Sequence, residues 1–426
     1  MPEEKASLYR YDESKVPAYT LPDPLKTEDG KNVETPEQWF DIRRPELLAL
    51  FEESMYGQIP EAMRQDGAVR AETTLLESTP LFDGKAVRHQ LRIVFFAGAA
   101  PTEDDPRVSV LVYVPAKRSV EKRFPAFLGY NFFGNHTVHV DPGIYLGKVW
   151  AKPDKGTEKS SFMALDADRG ALSRRFPLDL ILERGFGLVT AYYGDVEPDF
   201  DGGRDHGVRR LVDRDDNGEN SKRKPDAAAA VAVWAWGLSR ILDAVDEFGE
   251  ELNLDPVRIA VFGHSRLGKA ALWAGAVDNR FAAVISNNSG CCGAALSRRE
   301  FGETIRRINS VFPHWYCDHF KKYDSDVNAC PVDQHELIAL IAPRPVYIAS
   351  ASKDLWADPR GEFLGGLHAD PVYRLLGTDG FAGVTEMPPI GPSIGGRIGY
   401  HLREGEHEIL RFDWIHYLDF ARKHFE

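Results

Sequence analysis

Ser265 stands in the run Gly263-His264-Ser265-Arg266-Leu267-Gly268, between an apolar segment ending at Phe262 and a helix-forming segment opening at Lys269. A strand, a sharp turn of small residues and a helix leave a hydroxyl proud of a sheet at a helix N-terminus, which is what a nucleophilic serine requires. The usual spacing is G-x-S-x-G; here the second glycine comes one place late, with Leu267 where it would sit. A serine that merely caps the helix is the plainer alternative, and the strand–turn–helix setting weighs against it. A hydroxyl near its free pKa also needs a base. Two histidines precede the last helical segment. His401 lies inside an apolar run and reads as structural, whereas His407 follows the turn Glu404-Gly405-Glu406 and is the expected base. Asp354, just beyond the apolar run Pro345–Ser350, completes the chain order Ser, Asp, His, and Asp358 reads as the N-cap ahead of Pro359. The chemistry of such a set is acyl transfer, with the oxyanion held by the backbone N–H of Arg266 and a donor from the loop Asn131–His136.

These residues need a scaffold. Residues 36–56 open on a cap and read as an amphipathic helix, and two alternating runs near 68–78 and 86–96 read as antiparallel edge strands. Short, almost wholly apolar runs follow at Val108–Val114, Pro125–Tyr130, Gly187–Tyr193, Val257–Phe262, Phe281–Ser286 and Pro345–Ser350. Such runs mark strands covered on both faces. Helical patterns fall between them, clearest over Asp226–Glu250, and another closes the chain from about Phe412 to Lys423. Strands alternating with helices predict an α/β-hydrolase fold, a mostly parallel central sheet flanked by helices in a three-layer sandwich. Residues 1–35 read as an N-terminal extension, and 36–426 as a single catalytic domain with a polar insertion near 197–225.

Composition narrows the partners. The net charge of −13 is spread without a basic tract, so neither nucleic acid nor an anionic membrane is expected as a partner. No apolar run reaches the roughly 18 residues that span a bilayer. The N-terminus is polar and does not read as a signal peptide. Cys291, Cys292, Cys317 and Cys330 fit no zinc spacing, and one local disulfide or buried thiols are both open. Asp213 to Gly218 begins like a calcium loop, but Lys224 occupies the place of the bidentate glutamate, so a solvated turn is expected. Neither pattern implies a metal.

The residues Gly263 to Lys269, Ser289-Gly290-Cys291-Cys292-Gly293, Ile341 to Pro345, Asp354 to Pro359 and the terminal Glu404 to His407 together resemble the signature of the glucuronoyl esterases, carbohydrate esterase family 15. The likeness is greater to the bacterial than to the fungal branch, and runs from about residue 36 to the end. It implies a serine carboxylic-ester hydrolase acting on 4-O-methyl-glucuronoyl esters between glucuronoxylan and lignin alcohols, secreted or periplasmic, without a cofactor. Carried over by position, Ser265 resembles the nucleophile and His407 the base. Arg266 resembles an arginine that helps hold the oxyanion, Lys269 a lysine on the sugar hydroxyls, Trp356 a tryptophan lining the sugar site, and Glu303 approximately a polar sugar ligand. A sugar ring offers an apolar face to an aromatic and hydroxyls to charged partners.

The chain departs from the fungal pattern at one place. There the triad acid is a glutamate directly before a Ser-Gly pair, and here the matching stretch is Asn287-Asn288-Ser289-Gly290. Asparagine is neutral and cannot stabilise an imidazolium, so the acid is expected at Asp354 instead. Two rivals remain. An acetyl-xylan or general carboxylesterase of the same fold would be indifferent to a uronic acid, and an inactive saccharide-binding protein would bind without turnover.

Overall fold

The computed structural model describes residues 9–64, 67–116, 123–150, 160–212 and 224–425. The acidic turn at 213–218 and the rest of residues 213–223 within the polar insertion lie outside the described residues. The chain forms two compact units, one made of residues 1–58, 224–232 and 261–426, the other of 59–223 and 233–260.

The second of these carries the sheet whose edge the alternating runs foretold. Arg70–Leu81 pairs antiparallel with Ala86–Phe96, which pairs antiparallel with Arg107–Pro115. Arg107–Pro115 pairs antiparallel with Gly187–Tyr192, and that strand runs parallel to Phe124–Asn131. Every residue of Gly187–Tyr192 is buried, as a run without polar alternation requires. The loop after Phe124–Asn131 is held by its own first residue: Asn131 Oδ1 accepts the N–H of Gly134 at 2.8 Å, and Asn131 Nδ2 donates to Asn135 Oδ1 at 2.7 Å.

The first unit holds Ser265, Lys269, Glu303, Asp354, Trp356 and His407. Ala283–Asn287, Val346–Ala351 and Ile398–Arg403 lie side by side in parallel, with the two-residue strand Ile394–Gly395 antiparallel at the edge. All of Ala283–Asn287 and Val346–Ala351 is buried. The strand Leu254–His264 begins in one unit and ends in the other, delivering the chain to Ser265. The helix Arg266–Val277 leaves from there, and its Gly275 admits Val284 so closely that a Cβ would stand 2.3 Å from Val284 Cγ2.

The segment read as one amphipathic helix over 36–56 is helical throughout but not uniformly α. Thr35 caps Pro36–Gln38 reciprocally with Gln38, and π turns at Trp39–Arg43 and Glu52–Tyr56 flank the α-helix Arg44–Phe51. The reason lies in its spacing. Trp39, Arg43, Leu47, Phe51 and Met55 are buried at intervals of four. On a pure α-helix an interval of four drifts about 40° per step, and the wider π turns return the stripe to one face. That face meets the helix Arg266–Val277, where Tyr56 stacks on Trp273 at 4.1 Å and 11°.

The helices expected over Asp226–Glu250 and Phe412–Lys423 run over Ala230–Glu247 and Arg411–Phe425. One long helix had no periodic signal: Pro359–Leu375 contains Pro371 and three glycines. Asp358 does cap it, accepting the N–H of Gly361 at 2.9 Å. Among the described residues, all four cysteines are free and buried, and no helix is long and apolar enough to cross a membrane.

Candidate active site

The turn at Ser265 is built as a nucleophile elbow. Ser265 has φ 59° and ψ −131°, a backbone conformation that L-residues rarely adopt. Its carbonyl accepts from Gly268 N at 2.9 Å, so it begins the helix, but its hydroxyl makes no capping hydrogen bond. This removes the plainer alternative of a helix-capping serine. Gly263 is required because a Cβ there would lie 2.0 Å from the Leu267 carbonyl oxygen. The late glycine also has its reason: a Cβ on Gly268 would stand 3.0 Å from Ser289 Cβ and 3.2 Å from Ser286 Oγ. Leu267, in the usual glycine position, is buried.

The elbow is fastened to the next strand. Ser265 N donates to the Asn287 carbonyl at 2.9 Å, and His264 Nδ1 donates to Asn287 Oδ1 at 2.6 Å. Asn287 Nδ2 in turn donates to the Tyr417 hydroxyl at 2.8 Å.

Strand pairing brings His407, the expected base, to Asp354. Val346–Ala351 and Ile398–Arg403 run in parallel register, and the ladder continues past their ends through Ser352 N to Arg403 O (2.8 Å) and Lys353 N to Gly405 O (2.9 Å). The two chains therefore emerge together, one carrying Asp354 and the other His407. His407 Nδ1 donates to Asp354 Oδ2 at 2.6 Å. The carboxylate is buried, while the His407 side chain keeps 41% of its surface exposed. The His407 ring packs 4.6 Å from that of His264, the residue before Ser265. With Nδ1 occupied, Nε2 is the nitrogen left for a serine proton.

Arg403 fixes the loop around His407, a role that sequence alone did not suggest. Its guanidinium donates to the carbonyls of Glu404, Glu406 and Glu408, each at 2.9 Å, and is itself paired with Asp413 at 3.1 Å. His401 is structural as expected: it is fully buried, with Nε2 on Asp413 at 2.8 Å and Nδ1 2.9 Å from the Tyr347 hydroxyl.

Asn288, in the position where the fungal pattern has its acid, is not idle. Its Nδ2 donates to Asp354 Oδ2 at 2.9 Å, the same oxygen that meets His407. Asn288 thus helps to orient the Asp354 carboxylate.

Beside the elbow lie the other expected residues. Lys269 is buried in the first turn of the helix Arg266–Val277, where its ammonium donates to the Cys291 carbonyl and lies 3.3 Å from Glu303 Oε2. Glu303 N donates to the Trp356 carbonyl at 2.9 Å, which brings the strand-end segment after Asp354 against the same place. Trp356 meets Tyr9 edge-on at 4.9 Å. The guanidinium carbon of Arg266 stands 4.7 Å from the Trp315 ring centre and 5.2 Å from that of Phe312, two rings stacked 3.9 Å apart. Cation–π contact of this kind holds a guanidinium in place. The aromatic run around Val311–Tyr316 was the one available signal for these two rings.

Three comparisons bear on this arrangement. Residues 222–377 match a family model described as glucuronyl esterase, fungi. The chain is similar to carbohydrate esterase MZ0003 from an unknown prokaryotic organism, at 44% identity over 98% of this chain and 92% of that one. Among solved structures it is similar to a promiscuous CE15 esterase from a marine bacterial metagenome (43% identity, TM-score 0.86, 98% of this chain and 100% of that one). It is also similar to a glucuronoyl esterase from Solibacter usitatus (39% identity, TM-score 0.87, 97% and 100%).

Proposed function

The chain belongs to the glucuronoyl esterases, carbohydrate esterase family 15, with an α/β-hydrolase fold, and from that premise we propose a mechanism and a substrate for it. It is a serine carboxylic-ester hydrolase acting on 4-O-methyl-glucuronoyl esters. Its nucleophile is Ser265, its base His407 and its acid Asp354, within a single catalytic domain over 36–426. The observation that carries the assignment is the 2.6 Å contact between His407 Nδ1 and a buried Asp354 carboxylate beside an elbow serine whose hydroxyl is not spent on a cap.

The steps follow from these positions. Ser265 Oγ attacks the ester carbonyl carbon while His407 Nε2 takes the hydroxyl proton. Asp354 holds the ring in the tautomer that leaves Nε2 free and balances the charge of the imidazolium. The N–H of Arg266 and its guanidinium face the developing oxyanion, where fixed donors lower the barrier most. The C–O bond to the alcohol then breaks as His407 returns its proton to the alkoxide. Water, deprotonated by the same nitrogen, attacks the acyl-enzyme and releases the uronic acid and the serine.

The sugar is recognised beside this. An ammonium has three donors, of which the Cys291 carbonyl and Glu303 take two, leaving one for a sugar hydroxyl. Glu303 offers an acceptor and Trp356 an apolar face. The natural ester is then the link between glucuronoxylan and lignin alcohols, met outside the cell or in the periplasm.

A general carboxylesterase is the second reading, favoured by the similarity to a promiscuous CE15 esterase. The test compares hydrolysis of benzyl glucuronate with that of an aryl acetate in the parent and in Lys269→Ala. Contacts to hydroxyls assist only the substrate that has them, so the variant should lose about tenfold or more on the glucuronate and little on the acetate. Equal losses on both would refute the sugar site and favour the general esterase.

A further inference from the structure

We propose that Glu362 is a positioning residue for the ester hydrolysis: its carboxyl fastens the loop Asn288–Cys292, and through that loop it places both Asp354 and Lys269. The proposal rests on the catalytic assignment above.

Glu362 lies in the first turn of the helix Pro359–Leu375 and is fully buried. Its Oε1 accepts the backbone N–H of Gly290 at 3.0 Å and the Ser289 hydroxyl at 3.4 Å, and its Oε2 accepts the Ser350 hydroxyl at 2.6 Å. One side chain thus ties the loop after Ala283–Asn287 to the strand that carries Asp354 four residues further on.

The loop needs such a tie. Asn288, Gly290 and Cys292 have φ of 46°, 62° and 61°, so alternate residues lie in the left-handed region. Non-glycine residues stay there only when their surroundings impose it. From this loop three contacts reach the active site. Asn288 Nδ2 donates to Asp354, Ser289 packs against Gly268 of the nucleophile helix, and the Cys291 carbonyl accepts from Lys269. The Gly290 N–H held by Glu362 sits in the middle of them.

The carboxyl is also unusual for its depth. No ion pair reaches Glu362 among the described residues; the groups facing it are the Ser350 and Ser289 hydroxyls, the Gly290 N–H, the Asp354 carboxylate and the Tyr400 phenol. Burial first, and the Asp354 charge with it, push its pKa up to about 8 against the hydrogen bonds from Ser350 and Gly290. Neutral below that pH, the carboxyl keeps Oε1 as the acceptor for Gly290 while an O–H on Oε2 can donate to the Ser350 hydroxyl, and no second charge is set beside Asp354.

The experiment measures kcat and KM for benzyl glucuronate and for an aryl acetate in Glu362→Ala and Glu362→Gln. Misplacement of reacting groups by about 1 Å costs on the order of 10²-fold, so Glu362→Ala should lose about that in kcat on both substrates. Its KM should rise on the glucuronate alone, because only that substrate uses Lys269. Glu362→Gln should recover most of both losses, since its amide oxygen can take the Gly290 N–H and the Ser350 hydroxyl can turn to accept from its amide nitrogen. A folded Glu362→Ala within about threefold of the parent in both constants overturns the proposal, as does a Gln variant as damaged as Ala. Should Glu362→Ala not fold, Ser350→Ala removes one arm of the tie; a fall in kcat on both substrates supports the proposal and an unchanged kcat overturns it. Lys269→Ala tests the sugar-site reading without touching Glu362, so failure of that reading and failure of this one give different results.

Discussion

Replacing Asp354 by Asn separates the two services a triad carboxylate performs. Loss of such a carboxylate usually costs about 10⁴ in rate, through both the orientation and the counter-charge of the histidine. Here Asp354 Oδ2 accepts from His407 Nδ1 at 2.6 Å and from Asn288 Nδ2 at 2.9 Å. In Asp354→Asn, the Asn288 donor favours the amide oxygen in that position, because the amide nitrogen there would face another donor. The tautomer of His407 is thereby kept, and what is lost is charge. Two unit charges about 4 Å apart at an effective dielectric near 20 interact by about 4 kcal/mol, or about 10³ in rate. His407 keeps 41% of its side-chain surface exposed, so solvent screening brings this down towards about 10². Asp354→Asn should therefore lose between about 10² and 10³ in kcat, and Asp354→Ala, which forfeits orientation as well, about 10⁴. Adding Asn288→Ala should cost more in the Asp354→Asn background than in the parent, because the amide is then free to turn its nitrogen to the ring. The assay is steady-state hydrolysis of both test esters by variants shown to be folded by circular dichroism. An Asp354→Asn enzyme within about tenfold of the parent would mean that the acid lies elsewhere.

Ser265→Ala should leave less than about a thousandth of the activity while folding normally, and a larger residue would remove Ser265 from the role of nucleophile. Asp358→Asn and Asp333→Asn should keep kcat near that of the parent but lower the melting temperature. Asp358 is buried on Arg299 at 2.8 Å, and Asp333 accepts the N–H groups of Ser297 and Arg298 at 2.8 and 3.2 Å. Weakening a buried charge-assisted bond costs about 1–3 kcal/mol. A large fall in kcat at unchanged stability, seen by thermal unfolding and kinetics on the same samples, would give either residue a part in catalysis.

The elbow could be read from the chain because its signals are local: an apolar strand, a glycine, a serine and a helix follow one another in sequence. The meeting of His407 with Asp354 was legible for a related reason. Each lies just past the end of a buried strand, and parallel neighbours deliver their ends to one edge. What was hidden depends on contacts between distant segments. Nothing in residues 266–269 announces that Phe312 and Trp315 stack beside Arg266. Gly268 looked misplaced until Ser286 and Ser289 were seen to press on it. The helix Pro359–Leu375 was invisible because Gly361, Gly365, Gly366 and Pro371 lower its propensity, and close packing is what requires the first three: a Cβ at Gly365 would stand 2.1 Å from the Ala294 carbonyl oxygen. In the segment 36–56, burial at intervals of four was visible as amphipathic, but the π turns that reconcile it with one face were not.

The backbone of Ser265 has a consequence for how this sequence can change over time. At φ 59° and ψ −131° a side chain costs about 1–3 kcal/mol that glycine would not, against a total of about 5–15 kcal/mol for a typical domain. Stability alone would therefore place glycine at the position proposed for the nucleophile. Mutational drift towards a sturdier protein and retention of turnover pull this residue in opposite directions. The bonds that clamp the elbow, from Ser265 N to Asn287 and from His264 to Asn287, then act as a reserve that lets an unfavourable residue persist. Changes at Asn287 should be tolerated least in lineages whose remaining packing is weakest, so the freedom of that asparagine to vary is tied to the robustness of the whole core.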